Sequence, residues 1–159
     1  MGVMSRARYT CWSHPPSSTE VGFQYRIRVR FSEVDQAGVA YFSRIYEYCH
    51  RAFEELLRAA DMPLEGLLHQ VGLGLPLVHT DADYHRPLRL GYAISIAVTV
   101  LSQTDRRVSF AFRVLGADGQ VRARVKPVHA CVRMEDFLPR ELPSAFLDGL
   151  ARLDLLDQD

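Results

Sequence analysis

The sequence predicts an α+β domain in which a five-stranded antiparallel sheet curls around one long helix. Two observations lead to this prediction. Residues 44–61 repeat apolar side chains at the helical period, leaving one broad apolar face. Five other segments alternate apolar and polar residues at the strand period. The apolar face of the helix and the apolar face of the sheet can bury each other, so we expect the helix to pack against the sheet.

The first strand is predicted over residues 23–31, where aromatic and β-branched residues alternate with polar ones. Ser43 then offers a helix N-cap, and the helix is expected to end by about Asp61, because Pro63 cannot continue it. The apolar stripe of this helix consists of Ile45, Cys49, Ala52, Phe53, Leu56 and Ala60.

A loop or short helical turn is predicted over 64–74, followed by strands over 75–86, 92–101, 107–115 and 121–134. Within the last strand the apolar residues change parity at Pro127. Because proline cannot donate to the ladder, we expect a bulge or a sheet edge there. A short C-terminal helix is predicted to open at Pro143-Ser144.

The 159 residues fit one domain, predicted over 23–159. Residues 1–22 contain prolines, serines and basic residues but no hydrophobic run. They are predicted to be a flexible tail rather than a secretory signal. Alternatively, the true start of the protein is Met4 or a later residue. The formal net charge of +0 provides no electrostatic argument for a nucleic-acid or membrane partner. It weakly favours association between copies.

The cysteine content indicates a reducing compartment. Cys11, Cys49 and Cys131 are an odd, sparse set that does not form a disulfide framework, so we expect a cytoplasmic protein. No apolar run is long enough to span a bilayer.

The segment 28–42 carries the most chemical information. It holds two acids, Glu33 and Asp35, then a glycine and two aromatic residues directly before the helix. A helix N-terminus presents unpaired N–H groups that suit a developing oxyanion. Asp35 can act as a nucleophile or general base, or it can simply hold the loop as an Asx-turn residue. Glu33 is expected to be a solvated loop acid.

The stretch Phe31–Phe42 resembles the Asp-x-x-Gly-x-x-Tyr segment of the hotdog-fold acyl-CoA thioesterases of the 4-hydroxybenzoyl-CoA thioesterase group. Within that group, residues 49–55, 76–79 and 83–88 are most similar to 1,4-dihydroxy-2-naphthoyl-CoA thioesterases. The resemblance implies a hotdog fold and places the family's catalytic acid at Asp35. The oxyanion would be stabilised by the backbone N–H of Phe42, with Tyr41 or Ala40 nearby.

Substrate contacts are predicted for a second set of residues: Gly38, Val39, His79, Tyr84, His85, Arg122, Arg124 and Lys126. The polar face of strand 75–86 could be an active-site wall or a wet, dimer-facing surface. Its histidines and aspartates match no zinc spacing. The three basic residues alternate along strand 121–134, where they could bind the phosphates of coenzyme A or form a charged outer face.

The predicted function is hydrolysis of an aromatic or bulky acyl-CoA to the acid and free CoA. The resemblance implies no metal or redox cofactor, and it implies a homodimer or homotetramer with active sites shared between subunits. Two alternatives stay open. One is a thioesterase acting on acyl groups held by an acyl carrier protein in a polyketide-type pathway. The other is a non-catalytic acyl-thioester binding protein.

Overall fold

A computed structural model describes residues 22–153 and residue 155. The predicted tail, apart from Gly22, lies outside the described residues. Three α-helices occur in the described part, α1 (Arg44–Ala59), α2 (Leu64–Gly66) and α3 (Ser144–Arg152). None of the helices in this part is both long and apolar enough to cross a membrane.

Five strands form one antiparallel sheet, which confirms the predicted fold class. Its order is β1-β4-β5-β6-β3, so β1 and β3 are the two edges. The strands are β1 (Phe23–Arg28), β3 (Leu77–Tyr84), β4 (Ala93–Gln103), β5 (Arg107–Gly116) and β6 (Val121–Ala130). A two-stranded ladder pairs β2 (Leu73–Gly74) with β7 (Val132–Arg133).

The core lies between α1 and the inner face of the sheet. The predicted stripe of α1 is buried, together with Tyr48 and Leu57. Facing it are Ile94, Ile96, Val98 and Val100 of β4 and Val108, Phe110, Phe112 and Val114 of β5. Burial of this apolar surface is the main driving force for packing the helix against the sheet.

The prediction for Pro127 is only partly right. Strand β6 is an interior strand, and its inner face continues without a change of parity through Val125, Pro127 and His129, all buried. The irregularity lies instead in the neighbouring strand, where β3 has a register shift between Leu77 and His79. The predicted strand 121–134 also breaks at Cys131, where the chain leaves the large sheet for the small one.

Candidate active site

The turn before α1 is organised by Asp35. One carboxylate oxygen, Oδ1, accepts hydrogen bonds from the backbone N–H groups of Ala37 (2.8 Å) and Val39 (3.1 Å). Gly38 adopts a φ of 73°, which favours glycine, and its N–H donates to the Asp35 carbonyl. The Asx-turn role is therefore present. It leaves Oδ2 of this half-buried side chain without a hydrogen-bond partner among the described residues.

The backbone N–H groups at the helix entrance are not equally available. Ala40 donates to the Leu88 carbonyl (2.8 Å) and Tyr41 donates to the Glu33 carbonyl (3.2 Å). Within residues 22–153, no acceptor pairs with the N–H of Phe42. The donor predicted at Phe42 is thus free, whereas the amides of Tyr41 and Ala40, predicted as possible helpers, are engaged.

Ser43 does not form the predicted N-cap. Its backbone is already helical (φ −65°, ψ −24°), and its side chain makes no capping hydrogen bond. The first amides of α1 donate instead to carbonyls three residues back, from Arg44 to Tyr41 and from Ile45 to Phe42. Such tight turns satisfy part of a helix end without a side-chain cap.

A cavity of about 320 Å³ lies beside this entrance. It is lined by Val39, Ala40, Phe42, Ile45, Tyr84, His85, Arg86, Pro87 and Leu88. The Tyr84 hydroxyl donates to the Phe42 carbonyl at 3.0 Å, so β3 and the start of α1 are joined at the cavity wall. The structure therefore brings together the predicted residues Val39, Phe42, Tyr84 and His85.

Glu33 is a correction to the sequence prediction. Rather than being solvated, it is 4% exposed, and its Oε2 accepts hydrogen bonds from the Tyr48 hydroxyl and the Arg30 N–H, both at 2.8 Å. Arg51 lies 3.8 Å from its other oxygen. Burial, and then the hydrogen bond to Glu33, raise the pKa of Tyr48. Glu33 thus anchors the turn to α1.

The three predicted basic residues share the outer face of β6 but differ in availability. Arg122 is tied to Asp118 at 2.7 Å, and its side chain is only 14% exposed. Arg124 is exposed and places Nη1 3.1 Å from His85 Nε2, at the edge of the cavity. Lys126 is exposed and lies opposite Asp81 on β3.

His79 lies away from the cavity, exposed on the outer face of β3 with its Nε2 3.8 Å from Asp81. In contrast, Arg86 was not predicted as a site residue, yet it is exposed and lines the cavity just after β3. Two further residues that were not predicted, His129 and Thr80, line a second cavity deeper in the domain. Strand periodicity places His129 on an apolar face. Nothing in the local sequence, however, distinguishes a buried histidine from a polar residue that interrupts the apolar alternation.

Comparisons with known proteins identify the family. A family model described as the thioesterase-like superfamily matches residues 29–150. A 1,4-dihydroxy-2-naphthoyl-CoA hydrolase of Synechococcus elongatus is 30% identical over 80% of this chain and 94% of its own. One from Synechocystis is 26% identical over 83% and 96%. A crystal structure of a 1,4-dihydroxy-2-naphthoyl-CoA thioesterase from Synechocystis superimposes with a TM-score of 0.76 at 28% identity, covering 83% of this chain and 97% of that one. The chain therefore belongs to the thioesterase-like superfamily.

Proposed function

We propose that this protein hydrolyses an aromatic acyl-CoA thioester to the carboxylic acid and free CoA. The observation that carries the proposal is that one short segment holds both a carboxylate and a backbone amide without an acceptor. Asp35 accepts a hydrogen bond from the N–H of Val39, and Val39 lines the cavity. Phe42 lines the same cavity, and its N–H has no acceptor in the described part of the chain.

Thioester cleavage requires little more than these two groups. The free Oδ2 of Asp35 would attack the thioester carbonyl and expel the thiolate, giving a mixed anhydride that water then hydrolyses to the acid and free Asp35. Alternatively, it would take a proton from a water that attacks the carbonyl directly and expels the thiolate. The negative charge that develops on the carbonyl oxygen would be stabilised by the Phe42 N–H and the partial positive charge at the start of α1. Because a thiolate leaves readily near neutral pH, no strong general acid is needed.

The names of the relatives suggest the acyl group to test first. We propose 1,4-dihydroxy-2-naphthoyl-CoA as the substrate, since relatives named for it align with 80% or more of this chain. The test measures free thiol release from this thioester, from 2,5-dihydroxybenzoyl-CoA and from palmitoyl-CoA. We expect the aromatic thioesters to be cleaved with the higher kcat/KM. No release from any of them would refute the proposed function, and preference for palmitoyl-CoA would refute the aromatic class.

Two cationic side chains at the cavity edge support CoA as the carrier. Arg86 lines the cavity, and Arg124 contacts His85, which lines it too. We propose that they contact the nucleotide phosphates, while Arg122, already paired with Asp118, does not.

Replacing both Arg86 and Arg124 by alanine should raise KM for an acyl-CoA by about 10-fold while changing kcat little. Contacts of this kind bind substrate and transition state alike, and each contributes roughly 0.7 kcal/mol when exposed. Steady-state kinetics on the acyl-CoA and on the matching acyl-pantetheine, which lacks the nucleotide, checks this result.

The matched control is Arg107→Ala, at the far end of the same sheet face, where Arg107 pairs with Ala130. It should leave KM unchanged for both substrates. An equal loss on acyl-CoA and acyl-pantetheine would contradict phosphate recognition. Unchanged KM in the double variant would favour an acyl carrier protein as the natural carrier.

We also propose that the protein assembles at least as a dimer through edge strand β3. Its outer backbone groups have no neighbouring strand among the described residues, and Leu77 and Val78 are 50% and 49% exposed. An open edge with apolar side chains is a surface that pairs readily with another chain.

Light scattering should give at least twice the chain mass of 18.1 kDa. Val78→Lys should shift the protein to monomer, and activity should fall with it because the site is shared. Leu138→Lys, at an equally exposed apolar residue outside the sheet, is the control and should change neither property. An active monomer would contradict the shared site.

A cytoplasmic location is proposed on the basis of the cysteines. Cys49 and Cys131 are buried, and neither forms a disulfide with another of the described residues. Burial raises the pKa of the Cys49 thiol to about 12, which keeps it protonated and unreactive. Cell fractionation with detection of the native protein would test the location.

A further inference from the structure

A second cavity, of about 210 Å³, lies between α1 and the inner face of the sheet. From α1 it is lined by Tyr46, Cys49, His50 and Phe53, which follow helical spacing and so share one helix face. From the sheet side it is lined by Leu75, Pro76, Leu77, Thr80, Phe112, Val125, Pro127 and His129. The wall is therefore largely apolar, with a few polar atoms.

This inner cavity lies further along the gap between α1 and β3 than the first cavity. Tyr46 lies one helical turn beyond Phe42, and Thr80 lies four residues before Tyr84 on the same inner face of β3. Four strand residues span about 13 Å. Burial, followed by the neighbouring Tyr46, raises the pKa of Tyr84. Tyr84 lines the first cavity and Tyr46 lines the inner one, so neighbouring residues separate the two cavities.

Two polar side chains in the inner cavity have unused hydrogen-bonding capacity. The Thr80 hydroxyl is buried and has no partner among the described residues. His129 Nδ1 lies 2.8 Å from the Leu75 carbonyl, which can only accept, so Nδ1 carries the proton. Burial lowers the pKa of His129, which keeps the ring neutral and leaves Nε2 as an acceptor.

The His129 ring is held in place. It stacks on Phe53 with ring centroids 4.3 Å apart and planes 6° from parallel. The stacking and the hydrogen bond to Leu75 fix where Nε2 lies before any ligand arrives. Such preorganisation lowers the entropic cost of binding.

We infer that the inner cavity receives the aromatic ring of the acyl group, and that His129 Nε2 and Thr80 Oγ1 select rings that carry a hydroxyl group. This inference rests on the proposed function and names the residues that would determine its acyl specificity. An apolar cavity of about 150 Å³ is enough to hold benzene, so 210 Å³ accommodates a substituted aromatic ring.

The energetics favour a hydroxylated ring. A ring hydroxyl would donate to His129 Nε2 or accept from Thr80. An unsubstituted ring would leave the same atoms unpaired, which is worth about 1–3 kcal/mol for each group relative to a ring that satisfies them. A site that contains a buried polar group therefore discriminates strongly against a ligand lacking the matching one.

The test compares kcat/KM for 1,4-dihydroxy-2-naphthoyl-CoA and 2-naphthoyl-CoA in the wild type, Thr80→Val and His129→Phe. Thr80→Val preserves the shape of the side chain and His129→Phe preserves a planar ring, while both remove hydrogen-bonding atoms. We expect the wild type to prefer the hydroxylated thioester, and each variant to reduce that preference by about 10-fold, with the loss falling mainly on the hydroxylated substrate. Thr99→Val, on the outer face of β4, is the matched control and should leave the ratio unchanged.

An unchanged ratio in both variants would overturn the inference, as would an equal loss on both substrates, which would indicate a structural role alone. Calorimetric binding of 1,4-dihydroxy-2-naphthoate and 2-naphthoate to the same proteins separates the two proposals. If the wild type cleaves neither thioester, the proposed function fails. A binding preference that disappears in the variants would still support the inner cavity, and equal binding of the two acids would refute it.

Discussion

Asp35→Asn should lower kcat by at least about 100-fold, which is the scale expected for a positioned acid–base or nucleophilic group. The change removes the negative charge and the basicity of Oδ2, which is the oxygen left without a partner in the turn. Steady-state thiol release, measured with the preferred acyl-CoA at saturation, checks the prediction.

Folding should survive this substitution. Both hydrogen bonds from the turn, from Ala37 and Val39, reach the single oxygen Oδ1, and the amide oxygen of asparagine can accept them both. The melting temperature therefore serves as the control and should move little. Near wild-type turnover in a folded Asp35→Asn protein would refute the proposed mechanism.

Glu33→Ala should instead act on stability, lowering the free energy of unfolding by about 2–4 kcal/mol and the melting temperature by roughly 5–15 °C. The substitution leaves the buried Tyr48 hydroxyl and the Arg30 N–H without an acceptor. Thermal unfolding followed by circular dichroism measures the effect.

Glu33→Gln is the matched control. Both donors bond Oε2, so a glutamine oxygen at that position retains both hydrogen bonds, and only the attraction to Arg51 is lost. Its melting temperature should fall far less than that of the alanine variant. If Glu33→Ala keeps its melting temperature but loses activity, the roles assigned to the two acids are wrong.

Much of the fold could be predicted because its signal is local. The alternation in residues 94–100 and 108–114 and the helical stripe from Ile45 to Ala60 each arise from the geometry of a single element. The observed helix ends at Ala59, close to the predicted end. For the site, the resemblance of residues 31–42 directed attention to Asp35 and Phe42. Phe42 lines the cavity, and Asp35 accepts a hydrogen bond from Val39, which lines it too.

The errors share a physical cause, because each depends on contacts between elements distant in the chain. Glu33 is buried because Tyr48 and Arg51, on a helix turned back against the loop, shield it. Pro127 lies in an interior strand, and the neighbouring strand β3 carries the bulge.

By itself, the sequence determined the fold class, the order of the elements and the short segment that holds the acid and the amide, since periodicity and turn chemistry are properties of neighbouring residues. Only the tertiary structure decided which groups remain free to react or bind. It engages the amides of Ala40 and Tyr41, and among residues 22–153 it provides no acceptor for that of Phe42. It also brings Thr80 and His129 to one cavity although they lie far apart in the chain, because β3 pairs with β6 in the sheet.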